Sequence, residues 1–297
     1  MAISPDQQPD FESGYASASS TVAGLPPVLF TKPHLKHLNA QLSRLEPIDI
    51  LRWARWTLPN LFQTTAFGLT GLVTMDLLCK LQAEEPAAPR VDLIFLDTLY
   101  HFQQTLDLVE KVRSRYPNID IHVYGPDGLT TASQFEDKYG PRLWETNPDL
   151  YDWVAKVEPA QRAYADLSVG AVLTGRRRSQ GAKRSDLNVI EIDEAGLVKI
   201  NPLCGWSFSQ VRDYVRTHDV PYNELLDLGY KSVGDWHSTV PVAQGEDERA
   251  GRWKGTAKTE CGIHNRRSKY AQYLIEQEMK AQQRKLSAEL GEDGITA

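Results

Sequence analysis

The stretch Lys258-Thr259-Glu260-Cys261-Gly262-Ile263-His264 holds one of only three cysteines in the chain, set between a lysine and a histidine. A thiolate is nucleophilic where cationic neighbours favour its ionisation and the backbone leaves the sulfur accessible. Lys258 and His264 can supply the first condition, and Gly262 allows close approach of backbone or substrate. A lone cysteine has no spacing rule of its own, so the same residues also describe a loop thiol with incidental charges.

Two basic groups favour the chemical reading. Arg176, Arg177 and Arg178 are consecutive, with Lys183 and Arg184 close behind, and Arg249, Arg252 and Lys254 precede the cysteine around Trp253. Arginine suits phosphate and sulfate because its planar fork donates two bonds at once. Such groups beside a thiol suit a doubly anionic substrate attacked by sulfur. A half zinc site at Cys261 and His264 is the rival, but a structural site needs four ligands. Cys79 sits among leucines and Cys204 lies at a turn without a cysteine partner, so no metal is expected.

The elements that must hold these residues alternate. Leu58 to Phe67, running into a turn, with Val91 to Leu96, Ile119 to Tyr124 and Ala171 to Thr174, read as buried strands; helices are expected from about Leu69 to Leu81 and Phe102 to Val112. This alternation predicts a three-layer α/β fold, a parallel twisted sheet with helices on both faces. Two helices precede it, around Leu35 to Leu45 and from Pro47. Val189 to Ile192 and Leu197 to Ile200 predict a hairpin at or beyond the sheet edge, and Ser207 to Gln210 form a capping box opening a further helix. In such sheets ligands bind at the carboxyl ends of strands. The turn Thr64-Thr65-Ala66-Phe67-Gly68 stands there as an anion site or an ordinary helix cap. Asp97 closes the next strand, able to accept from a ribose or base or to cap a turn. The turn-rich segment from Gly229 to Gly255 is a candidate mobile loop carrying Arg249 and Arg252.

With 41% hydrophobic and 24% charged residues over 297, the chain has the composition of a soluble globular protein. Its formal net charge of -6 argues against general nucleic-acid binding, which needs broad positive surface. No apolar run approaches the roughly 20 residues of a membrane span. Three scattered cysteines suit a reducing compartment, and a cytoplasmic location is expected. Residues 1–30 are expected to form a disordered tail, 31–265 a single domain, and 266–297 a charged helical tail.

Taken in order, these motifs resemble the sulfonucleotide reductases, specifically the thioredoxin-dependent phosphoadenylyl-sulfate (PAPS) reductases. The resemblance rests on Gln63 to Gly68, Leu96-Asp97-Thr98, Lys156-Val157-Glu158-Pro159, Thr174 to Gln180, Gly229 to Gly234, Arg249 to Trp253 and Lys258 to His264. It implies an adenine-nucleotide alpha-hydrolase-like fold in which Gln63 to Gly68 is a modified pyrophosphate loop. Cluster-bearing members of this family carry cysteine pairs at positions that here hold Tyr151, Asp152, Asp235 and Ser238. A four-iron cluster needs thiolate ligands, so none is expected, and the resemblance points to the branch that takes the 3'-phosphorylated nucleotide.

The resemblance also implies a mechanism and a site. Cys261 attacks the sulfo group, adenosine 3',5'-bisphosphate leaves, and thioredoxin releases sulfite from the S-sulfonate, within sulfate assimilation toward cysteine and methionine. It assigns Lys156, Arg249 and Arg252 to the phosphosulfate end, with His264 near the thiol. Arg177 and Arg178 go to nucleotide phosphates, and Thr64, Thr65, Gly68 and Asp97 to the nucleotide pocket. A homodimer is the family's habit. Three rivals stand beside this reading: an adenylyltransferase of the same fold, which needs an intact Ser-Gly-Gly-type loop, a nucleotide-binding redox sensor without turnover, and reduction of adenylyl sulfate without a cluster.

Overall fold

The computed structural model describes residues 30–181, 184–193, 196–243, 245–256, 258 and 260. Cys261, His264, residues 1–29 and the expected C-terminal tail lie outside the described residues.

Helix α1 (Lys32–Leu42) begins where the Thr31 hydroxyl accepts the His34 N–H and Pro33 occupies the first turn. Helix α2 (Pro47–Thr57) likewise starts on a proline, whose missing N–H costs nothing at that position. Six strands follow in the order β3-β2-β1-β4-β6-β5. They are β1 (Leu61–Thr65), β2 (Leu93–Leu96), β3 (Ile121–Tyr124), β4 (Ala171–Leu173), β5 (Ile190–Ile192) and β6 (Val198–Ile200). All neighbours are parallel except β5, which returns antiparallel on β6 as the expected hairpin. The sheet is therefore mixed at that one edge.

Helices α3 (Leu69–Glu84), α4 (Gln103–Arg115) and α9 (Phe208–Thr217) share one apolar core with the sheet, α9 lying against α3, and α9 opens on the Ser207–Gln210 capping box. Leu93, Ile94, Phe95 and Leu96 are all buried, as a strand covered on both faces requires. β1 is shorter than the apolar run suggests, because α2 continues to Thr57 and Asn60 turns the chain with a positive φ of 48°.

Between β3 and β4 the chain forms α5 (Ala132–Tyr139), α6 (Leu143–Thr146), α7 (Pro148–Asp152), a π-helical turn (Trp153–Val157) and α8 (Glu158–Asp166). Sequence periodicity misses these because Gly140, Pro141, Pro148 and Pro159 divide them into pieces too short to show a stripe. Pro159 accounts for the π turn. It brings no N–H for the Ala155 carbonyl four residues back and would clash with it, so the ladder widens and the Glu158 N–H reaches the Trp153 carbonyl instead. Tyr100, Phe135, Leu143, Tyr151, Val154 and Ala155 form a second apolar cluster there. No described helix is long and apolar enough to cross a membrane.

Candidate active site

After β1 the chain moves outward to β2 and β3, then returns to lay β4 on the other side of β1. This is the topological switch at which open α/β sheets leave a crevice. A cleft of ≈ 240 Å³ opens there, lined by Thr64, Thr65, Gly68, Arg177, Arg249 and Arg252 among others.

The turn after β1 is shaped by Phe67, whose φ of 53° is left-handed. The Thr65 hydroxyl accepts the Phe67 N–H at 2.9 Å, and the Phe67 ring packs edge-on against Phe95. Gly68 has ordinary helix-cap geometry, and a Cβ there would meet no atom within 4 Å. The space beside it belongs to the cleft.

Among the described residues, six basic ones line the cleft, Arg176, Arg177, Arg184, Lys231, Arg249 and Arg252, against one carboxylate, Glu248. A chain of net negative charge thus focuses positive potential at one place. Much of this charge is already committed. Arg177 is 2% exposed; its Nη2 donates to both Glu248 oxygens at 2.8 and 2.6 Å, and its Nε donates to Thr70 Oγ1 at 2.8 Å. It ties the β4 loop to the first turn of α3 and to the turn holding Glu248. Arg176 pairs with Glu191 at 2.7 Å.

Arg178 leaves the cleft. Its Nε donates to the Leu187 carbonyl at 2.7 Å, and it borders a groove shared with α1 and β5. The three adjacent arginines therefore point to different neighbours. Asp97 is absent from the described cleft lining too; its Oδ1 accepts the Leu99 N–H at 2.9 Å and closes the turn after β2.

Arg252 lies on the face of Trp253, 4.5 Å from the ring centroid, with Arg249 and Lys258 at 5.6 and 5.4 Å. Arg252 Nη1 donates to the Val233 carbonyl. Gly234 makes room for it, since a Cβ there would fall 2.2 Å from Arg252 Nη2.

Lys156 stands on the π turn outside the cleft lining, in a buried network. Its Nζ lies 2.8 Å from Asp235 Oδ2 and 3.3 Å from Asp152 Oδ1, and Asp152 also pairs with Lys258. Asp235 accepts from the Thr98 hydroxyl at 2.7 Å and the Tyr151 hydroxyl at 3.1 Å. Burial alone would raise the Asp235 pKa, but Lys156, His101 and the Thr98 hydrogen bond outweigh it and hold the carboxyl well below the usual range. The Ser238 hydroxyl donates to the Asp235 carbonyl. Tyr151, Asp152, Asp235 and Ser238 thus share one hydrogen-bonded and ionic network.

Sequence reasoning gave Glu248 and Glu260 no role in the site and placed Arg184 only within a basic group. Their pairings span 71 and 76 residues, and the one signal available was an excess of arginines that needed carboxylates.

An open α/β sheet with an arginine-rich cleft at its switch point is the architecture of a protein binding an anionic ligand. Residues 60–241 match the family model described as the phosphoadenosine phosphosulfate reductase domain, and the chain belongs to that family. It is 63% identical over 286 residues to the phosphoadenosine phosphosulfate reductase of Emericella nidulans, covering 96% of this chain and 93% of that one. It is 57% identical over 252 residues to that of Saccharomyces cerevisiae, covering 83% and 95%. The crystal structure of phosphoadenylyl-sulfate reductase from Candida auris, a phosphate complex, superposes with a TM-score of 0.65 at 53% identity, covering 72% of this chain and 99% of that one.

Proposed function

We propose that this chain reduces 3'-phosphoadenylyl sulfate to sulfite and adenosine 3',5'-bisphosphate, the reductive step of sulfate assimilation. The observation that carries the reading is the cationic cleft, onto which Arg184 holds Glu260, the residue directly before Cys261. The nucleotide lies along Thr64, Thr65 and Gly68, with its anionic end toward Arg249 and Arg252. Lys156 acts at the edge of this region through the network that also holds Lys258.

The Cys261 thiolate attacks the sulfo sulfur. An S–S bond forms, the S–O bond to phosphate breaks, and adenosine 3',5'-bisphosphate leaves with the electron pair. The enzyme keeps a cysteine S-sulfonate. A thioredoxin thiolate then attacks the Cys261 sulfur and expels sulfite. The second thioredoxin thiol resolves the mixed disulfide, so the dithiol supplies both electrons. His264 serves the thiol's protonation. Tyr151, Asp152, Asp235 and Ser238 are poor iron ligands for a four-iron cluster, which supports a cluster-free reaction. The working unit is a cytoplasmic homodimer of one domain.

The test is sulfite release from PAPS by metal-free enzyme and reduced thioredoxin, beside Cys261→Ser and with adenylyl sulfate in parallel. Thioredoxin-dependent sulfite from PAPS that vanishes in the variant is expected. Sulfite from neither nucleotide would leave only a binding protein, and equal rates on both would remove the nucleotide preference.

A further inference from the structure

The carboxylate of Glu260 is gripped by two arginines of the cleft. Arg184 Nε and Nη2 donate to Glu260 Oε1 and Oε2 at 2.8 and 2.6 Å, a side-on bidentate pair, and Arg249 Nη2 adds a longer contact at 3.4 Å. Burial would raise the Glu260 pKa, but Arg184, Arg249 and Arg176 together lower it, so the group is ionised at neutral pH.

Arg184 is itself braced. Its Nη1 donates to Gln180 Oε1, the same oxygen that accepts the Arg177 N–H. Gln180 therefore joins Arg184 to Arg177, and Arg177 holds Glu248. The loop after β4 thus grips the C-terminal part of the chain at two carboxylates, Glu248 and Glu260. The second grip falls one residue before the thiol.

We propose that Arg184 and Glu260 form a clasp that anchors the chain at the cleft one residue before Cys261, making Arg184 a positioning residue for the nucleophile. The proposal rests on the reductase reading above. Its physical basis is that a thiol on a long connecting segment has many orientations and one productive one. A fork-to-carboxylate pair fixes both position and angle of the adjoining backbone. Misplacement of a reacting group by about 1 Å can cost on the order of a hundredfold in rate.

The experiment separates orientation from nucleotide affinity. Reduced enzyme without thioredoxin is mixed with PAPS, and the single-turnover release of adenosine 3',5'-bisphosphate is timed for wild type, Arg184→Gln, Glu260→Gln and the double variant. The dissociation constant of adenosine 3',5'-bisphosphate is measured by calorimetry on the same proteins.

Each single variant is expected to slow release roughly ten- to a hundredfold, with the dissociation constant within about twofold of wild type. The double variant should be no slower than either single one, since both remove the same contact. Glu260→Asp should recover part of the rate.

A tenfold weaker nucleotide in Arg184→Gln with tighter binding in Glu260→Gln would overturn the clasp, making Arg184 a substrate ligand and Glu260 a competing anion. Wild-type rates in both variants would overturn it as well. If the wild-type chain yields no sulfite, the reductase reading fails by itself. Amide exchange across residues 255–260 then judges the clasp, and unchanged protection in Arg184→Gln removes it.

Discussion

Lys156 Nζ lies 2.8 Å from Asp235 Oδ2, and the two side chains are 6% and 3% exposed. Their helical turn and loop are far apart in sequence, so this ion pair fastens the π turn to the segment that runs on to Arg252's partners. Removing one member of a buried pair leaves an uncompensated charge, at a cost of about 3–5 kcal/mol. Asp235→Ala is therefore expected to lose that much stability, read as a lower urea midpoint with an unchanged slope. A loss below about 1 kcal/mol would mean that Asp152 alone satisfies Lys156.

Acid should weaken the same region. Burial pushes His237 down to about 4, with Asp235 opposing only in part, and its ring stacks on Trp144 at 4.1 Å. An unfolded histidine titrates near 6.5. Between these values the unfolded chain binds the extra proton, so stability is present above about pH 6.5 and is lost as pH falls toward 4. At about 1.4 kcal/mol per pKa unit the loss reaches on the order of 3 kcal/mol. Thermal melting from pH 7 to 4 should show it, and His237→Gln should flatten that window. Asp235 adds a further loss below about pH 4, where the unfolded chain's carboxylate takes up a proton that the native, depressed one resists.

Two of the three thiols should be slow. Burial, with Asp76 nearby, pushes Cys79 up to about 12, and burial also raises Cys204. Native protein at pH 8 is expected to give one fast iodoacetamide adduct, at Cys261, and three in denaturant. Fast labelling of Cys79 or Cys204 in native protein would contradict the burial described for them.

Gly234→Ala should displace Arg252. The new methyl collides with its guanidinium, which must leave the Val233 carbonyl and the Trp253 face. A hydrogen bond from a charged group contributes about 1.5–3 kcal/mol, so KM for PAPS should rise about tenfold or more, and Tm should fall by several degrees as those contacts are lost. A normal KM would show that Arg252 binds from its displaced position.

The sheet and the turn after β1 were legible because buried parallel strands and their helices keep a strict apolar pattern. Thr64, Thr65 and Gly68 follow directly from that pattern, as residues at a strand's end. The arginines were legible as a group but not one by one. Arg177 turns inward to Glu248 and Arg178 outward to Leu187, and that choice depends on carboxylates and carbonyls brought in by folding. Lys156 was visible as part of a motif and Asp235 as a replaced cysteine, but their pairing was not, because nothing local links residues that meet only through the tertiary fold. The short helices between β3 and β4 were lost to proline punctuation.

The cleft lies between strands that are neighbours in space and distant along the chain, with Leu61 in register with Ala171. Its two walls therefore cannot meet while the protein is still being synthesised through α4 and β3. Contacts of such separation close late, because the intervening loop must first lose its entropy. The N-terminal half emerging from the ribosome carries the turn from Thr64 to Gly68 but no opposing wall and no Cys261. Nucleotide capture and sulfur chemistry therefore arise together, only once the sheet has closed on β4.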